Sequence, residues 1–163
     1  MIARHVIDGV IAGAAGTALL DATTYADMAV RCRPPSELPQ KMVTEFAKIA
    51  GGRQLSKPPE ELSEEQQHRR SGLAGLIGYA DGFGVGALFG LVRPAMRDVS
   101  WFWAGLGLAA LTMMLSEGTA TVLKQTDPRK WGAAGWIADA VPRVLYGWVT
   151  ALTYDHLSAD ENR

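Results

Sequence analysis

Apolar residues run through this chain in four stretches, 6–30, 72–92, 101–123 and 131–153, each about the ~20 residues that cross a hydrocarbon core. Residues 99–116 form a long run without charge, whereas acids interrupt the other three stretches. Their grouping into two hairpins of similar length carries the reading. The pattern predicts an all-α fold, a four-helix transmembrane bundle forming one integral membrane domain over residues 1–163. A buried helical bundle in water is the alternative.

The polar loop at 31–71 has a pattern of its own. Leu38, Met42, Val43, Phe46 and Ile49 share one helical face, Lys41, Glu45 and Lys48 lie elsewhere, and Gly51-Gly52 offers a stop. This predicts an amphipathic helix lying along the inner membrane surface. Ser63 with Gln66 makes a capping box, so the second membrane helix begins near Glu64 and projects two turns before reaching lipid. Asp127-Pro128 reads as the N-cap and first-turn proline of the fourth helix.

Within the second span Gly78, Gly82, Gly86 and Gly90 recur every fourth residue. Glycine costs about 1 kcal/mol against alanine in a helix, so such a face is kept where backbones must approach closely. Membrane helices associate by that kind of packing, because lipid is as apolar as leucine. The ladder is expected to pack helices, between subunits in particular.

Each span also carries an acid. At about 1.5 Å per residue from the loop side, Asp21, Asp81, Glu117 and Asp139 all fall roughly 9 to 14 Å into the membrane. A charge at that depth costs about 2.5 to 3.5 kcal/mol on insertion scales, so the acids should face protein or trapped water. Arg143, four residues after Asp139, is the one deep basic residue. One arginine cannot neutralise four acids, and the surplus calls for protons, a bound cation or a partner's basic group. Pro142 frees the Ala138 carbonyl beside Asp139. Tyr25, Tyr79 and Tyr146 are candidate hydrogen-bond partners. In the plainer alternative the acids pair with Arg143, Lys124 and nearby hydroxyls and merely hold helix register.

Charge orients the chain. Arg31, Arg33, Lys41, Lys48, Arg53, Lys57, Arg69 and Arg70 lie in the first loop and Lys124, Arg129 and Lys130 in or beside the third, against Arg4, Arg93, Arg97 and Arg163 on the other side. By the positive-inside rule these two loops are cytoplasmic and both termini outside. Trp101, Phe102, Trp103, Trp148 and Tyr154 would then line the outer interface and Tyr25 and Trp131 the inner one.

Composition adds exclusions. Net charge of −1 gives no basic footprint for nucleic acid. Cys32 is the only cysteine and the histidines His5, His68 and His156 are scattered, so neither an internal disulfide nor a His-based metal motif is read. Mean hydropathy of +0.03 is low for a membrane protein and reflects the polar loop and tail. The N-terminal run lacks an A-x-A cleavage pattern before its acids begin, so it reads as a span and not as a leader. Asp8 and Asp27 read as interface residues near the two ends of the first span. His5 and His156 with Asp8 and Asp155 form a weak outer metal candidate. Met28, Met113 and Met114 read as packing residues. No nucleophile with its base, P-loop or dinucleotide fingerprint is present, and no catalytic residue or cofactor can be named.

Residues 12–17 through Asp21, then 25–28, Arg33-Pro34, 127–131, Trp136, Asp139, Pro142 and Tyr146-Gly147 together resemble small bacterial inner-membrane proteins of the YagU-like family. The resemblance implies a multi-pass inner-membrane location and a loose association with acid tolerance, and it transfers no site residue. The expected function is proton or cation handling by the acid layer. The rival is a non-catalytic accessory or assembly subunit, in a homo-oligomer or larger complex among membrane lipids. A lipid-modifying enzyme is a third class.

Overall fold

A computed structural model describes residues 2–52, 55–127, 130 and 132–159. Arg53, Pro128, Arg129, Trp131 and Arg163, used above for orientation and capping, lie outside the described residues. The described chain is all-helical: α1 (Ile2–Arg31), α2 (Leu38–Ile49), α3 (Glu64–Val92), α4 (Trp101–Val122) and α5 (Ala133–Ala159), with 3₁₀ turns at Pro59–Glu61 and Arg93–Met96.

Local chemistry sets the ends. Gly51 closes α2 in the left-handed conformation, φ +74°, and the Gly52 amide donates back to the Ala47 carbonyl at 2.7 Å. Ser63 and Gln66 form the capping box of α3: the Gln66 amide donates to Ser63 Oγ at 3.3 Å and the Ser63 amide to Gln66 Oε1 at 3.1 Å. The start of α5 differs from the expectation at Asp127-Pro128. It lies at Ala133, where the Gly132 carbonyl accepts the first amides, from Gly135 and Trp136, and Asp127 instead closes a turn with Lys130.

Two helical stretches, Ile2–Arg31 and Glu64–Met96, are long and apolar enough to cross a membrane. The other two stretches fall short on different grounds. α4 opens on Trp-Phe-Trp and carries Glu117, and α5 carries Asp139, Pro142 and Arg143.

α1 packs against both α3 and α5, α5 packs against α4, and α2 lies on the start of α3. The glycines settle where the backbones cross. Gly13 meets Gly82 and Gly86, and Gly9 meets Gly86 and Gly90, so α1 and α3 run antiparallel in close contact. A methyl group at Gly13 would stand 2.6 Å from the Gly82 carbonyl oxygen, and one at Gly9 3.1 Å from Gly90 Cα. On the far side of α1, a methyl at Gly16 would stand 2.8 Å from the Tyr146 ring. Gly105 of α4 and Gly147 of α5 interlock in the same way. Three rungs of the ladder, Gly82, Gly86 and Gly90, are therefore spent inside the chain and not between subunits, because α1 brings its own small residues at a matching spacing. Gly78 has nothing within 4 Å of its missing side chain.

The end of the bundle that holds both chain termini is thus closed. One apolar cluster joins all four long helices there: Ala12 of α1, Val85 and Phe89 of α3, Ala104 and Leu108 of α4, and Tyr146, Ala151 and Tyr154 of α5. Toward the loop end the long helices are less covered. Every residue from 75 to 81 of α3 and from 133 to 137 of α5 is exposed. There α2 covers only the first turns of α3, burying Val43 and Thr44, with Gln40 Nε2 donating to Ser71 Oγ at 3.1 Å, and it leaves Phe46 and Ile49 exposed.

Candidate functional site

The Arg143 side chain is the centre of the polar interior. Its Nη1 donates to both the carboxylate and the main-chain carbonyl of Asp139, one helical turn earlier on α5. Its Nη2 reaches across to α4, donating to Ser116 Oγ at 2.6 Å and to Glu117 Oε1 at 3.1 Å. All three charged side chains are less than one-fifth exposed. Charge-assisted bonds of this kind are about twice as strong as neutral ones, and here they fix the register of α4 on α5.

The guanidinium does not use up the acids. Glu117 Oε2 and Asp139 Oδ2 are buried and have no hydrogen-bond partner. Asp81 of α3 stands within electrostatic reach of the same guanidinium and is exposed. Two carboxylates on two helices thus bond one arginine, and Asp81 on a third adds its charge at longer range.

Asp21 does not join them. It faces the Tyr79 phenol, with Tyr25 beside it. Tyr79 and Asp81, two residues apart, stand on opposite flanks of α3, since successive helical positions differ by about 100°. The layer anticipated from depth alone is thus divided: equal height on four helices does not bring four side chains to one point. Nor does Tyr146 serve an acid; its hydroxyl donates to the Gly82 carbonyl at 2.7 Å. Glu117 is bound to Arg143, while Lys124 ends α4 at φ +56°.

A second polar group at the termini end was not anticipated. Arg93 is buried and donates Nε and Nη2 to the two Asp155 oxygens at 2.8 and 2.6 Å, and Nη1 to the Met96 and Val99 carbonyls. Tyr154 Oη donates to the Gly90 carbonyl at 3.1 Å and meets His5 Nδ1 at 2.9 Å. Because that one hydroxyl proton goes to Gly90, His5 Nδ1 must supply the proton of the second bond. The sequence did hold a signal for the tyrosines: Tyr146 and Tyr154 are eight apart, like their partners Gly82 and Gly90. Asp155 is committed to Arg93, so it does not combine with His5 and His156 as a metal site. Among the described residues no group of His, Cys, Asp and Glu is arranged to hold a metal ion. Asp8 is buried, 3.9 Å from Arg4 Nε. Asp27 holds Arg31 and Arg33 at the other end of α1.

No protein-family model, curated protein or solved structure matches the chain. Function therefore has to be read from this arrangement of residues.

Proposed function

We propose that the protein is a four-span membrane protein of the bacterial inner membrane that takes up and releases protons at the Arg143 cluster, with its two basic loops in the cytoplasm and both termini outside. One observation carries the proposal: Glu117 and Asp139 bond a single guanidinium with Asp81 within its electrostatic reach, and buried Glu117 Oε2 and Asp139 Oδ2 are unpartnered. A net negative buried cluster is relieved by binding a proton, and Asp81, at the open edge, is the group that exchanges it with water. The lipid setting is supported by large apolar side chains turned outward on all four long helices, among them Ile7, Leu88, Trp103, Leu111, Met114 and Leu152.

In liposomes loaded with a pH-sensitive dye, wild type dissipates an imposed proton gradient and the Asp81→Asn, Asp139→Asn double variant does not. Equal rates for the two proteins overturn the proposal.

A second reading, an accessory subunit of a larger membrane complex, draws on α4. This helix packs on α5 and presents Trp103, Leu111, Met114 and Val122 outward, with open space beside Gly107 and Gly118. It predicts a partner that co-purifies in mild detergent and is released by Gly107→Leu or Gly118→Leu.

A further inference from the structure

Arg93 and Arg143, set inside the bundle, each hold carboxylates: Asp155 in one case, Asp139 and Glu117 in the other. Arg70 of α3 is as buried as Arg93, at 7% against 6% exposure, and holds none among the described residues. Its Nε is sealed from solvent without a hydrogen-bond partner. The two end nitrogens bond to nothing among the described residues and are not sealed with it, so the fork ends at the surface. The surrounding sequence explains the missing partner. α3 carries no acid between Glu65 and Asp81, and Glu45, the only acid of α2, is taken by Lys48 Nζ at 2.7 Å and Gln125 Nε2 at 3.3 Å. α2 lies over this part of α3, where Gln40 Nε2 donates to Ser71 Oγ at 3.1 Å, one residue from Arg70. A buried guanidinium without a counter-charge is costly, and an anion from outside the chain relieves that cost.

We infer that Arg70 binds the phosphate of an anionic phospholipid in the inner leaflet. The inference rests on the membrane placement proposed above and not on proton chemistry at Arg143. Arg70 comes two residues before the apolar stretch 72–92, so in that placement its fork stands at headgroup depth. α2, packed at the same level, leaves Phe46 and Ile49 exposed, at 41% and 74%, as an amphipathic helix does when the acyl boundary covers its apolar side. The planar fork of arginine matches two phosphate oxygens at once, which the point charge of lysine does not. Charge selects the headgroup. Residues 31–71 carry eight Lys and Arg against six Glu, and the amine of a zwitterionic headgroup meets no free carboxylate on α2, whereas a glycerol headgroup needs none.

The test uses the full chain, stripped of lipid in mild detergent, with phosphatidylglycerol, phosphatidylcholine and inorganic phosphate as probes and native mass spectrometry as the readout. Wild type is expected to hold about one phosphatidylglycerol per chain and to prefer it to phosphatidylcholine on the order of tenfold. Arg70→Gln should weaken phosphatidylglycerol binding on the order of tenfold and Arg70→Lys about threefold. Arg69→Gln, the exposed neighbour, should change it by less than about twofold. Circular dichroism checks that each variant stays helical, and the headgroup preference of wild type stands as a test that needs no variant. Equal affinity for the two lipids, an unchanged affinity in helical Arg70→Gln, or equal losses in Arg69→Gln and Arg70→Gln would overturn the inference. Binding of inorganic phosphate without binding of phosphatidylglycerol would overturn it too and assign Arg70 to a soluble phosphate. A chain that stays in solution without detergent removes the membrane placement and this inference together. Proton flux separates the two proposals: flux without lipid binding removes only this inference, whereas Arg70-dependent lipid binding without flux supports it and removes only the proton pathway.

Discussion

The two halves of the bundle differ in what lies between the helices. Toward the termini, glycines bring backbones into contact and tyrosines span the remaining gap, so that α1, α3, α4 and α5 share one apolar cluster. Toward the loops, residues 75–81 of α3 and 133–137 of α5 are exposed, and the hydrogen bonds between α4 and α5 are charged ones from Arg143. Each half holds a buried arginine, Arg93 on Asp155 toward the termini and Arg143 on Asp139 and Glu117 toward the loops, so the contrast lies in the backbone contact and not in buried charge. The closed half positions the open one, because Tyr146 is anchored on Gly82 one residue from Asp81 and stands three residues from Arg143.

Substitutions can break this contrast, beginning with the largest effect. Gly86→Leu should prevent the chain from forming a monodisperse species on size exclusion, since even a methyl group there would lie 2.6 Å from Gly13 Cα and overpacking of a tight contact costs about 1–3 kcal/mol or more. Arg143→Met should lower stability by about 3–5 kcal/mol, the usual cost of stranding buried charges, read as a fall in the thermal midpoint in detergent. Adding Glu117→Gln should recover part of the loss. If the single variant melts like wild type, the cluster does not hold α4 on α5. Tyr154→Phe removes hydrogen bonds to Gly90 and His5 and should cost about 1–2 kcal/mol in the same assay. Gly78→Leu, the rung with open space around it, should change the thermal midpoint least. A collapse comparable to that of Gly86→Leu would mean that the loop half is also closed.

Much of the fold was legible along the chain. Helix periodicity, the Ser63 and Gln66 box and the Gly51-Gly52 stop are local signals, each set by bonds within a few residues, and each appears where the pattern placed it. The fourth-helix start was misread because an Asp that could cap a helix serves equally well in a turn, as Asp127 does with Lys130. At the site, the Asp139 and Arg143 pair was readable as an i,i+4 contact. Ser116 was not, since nothing marks a serine beside Glu117 until α4 is laid on α5. Arg93 was counted only as a topological charge, and its buried grip on Asp155 depends on residues 62 positions apart.

What the sequence determined by itself is the set of helices, the small-residue faces that let two of them touch, and the presence of an acid within the apolar stretch of each long helix. Those follow from backbone hydrogen bonding and side-chain period, which act over a few residues. Only the tertiary structure decided which neighbour each face received: that the glycine ladder turned inward onto α1, that Asp21 went to Tyr79 on one flank of α3 and Asp81 toward Arg143 on the other. Rotation of a helix about its axis is set by packing against its neighbours, and depth along the axis carries no information about it.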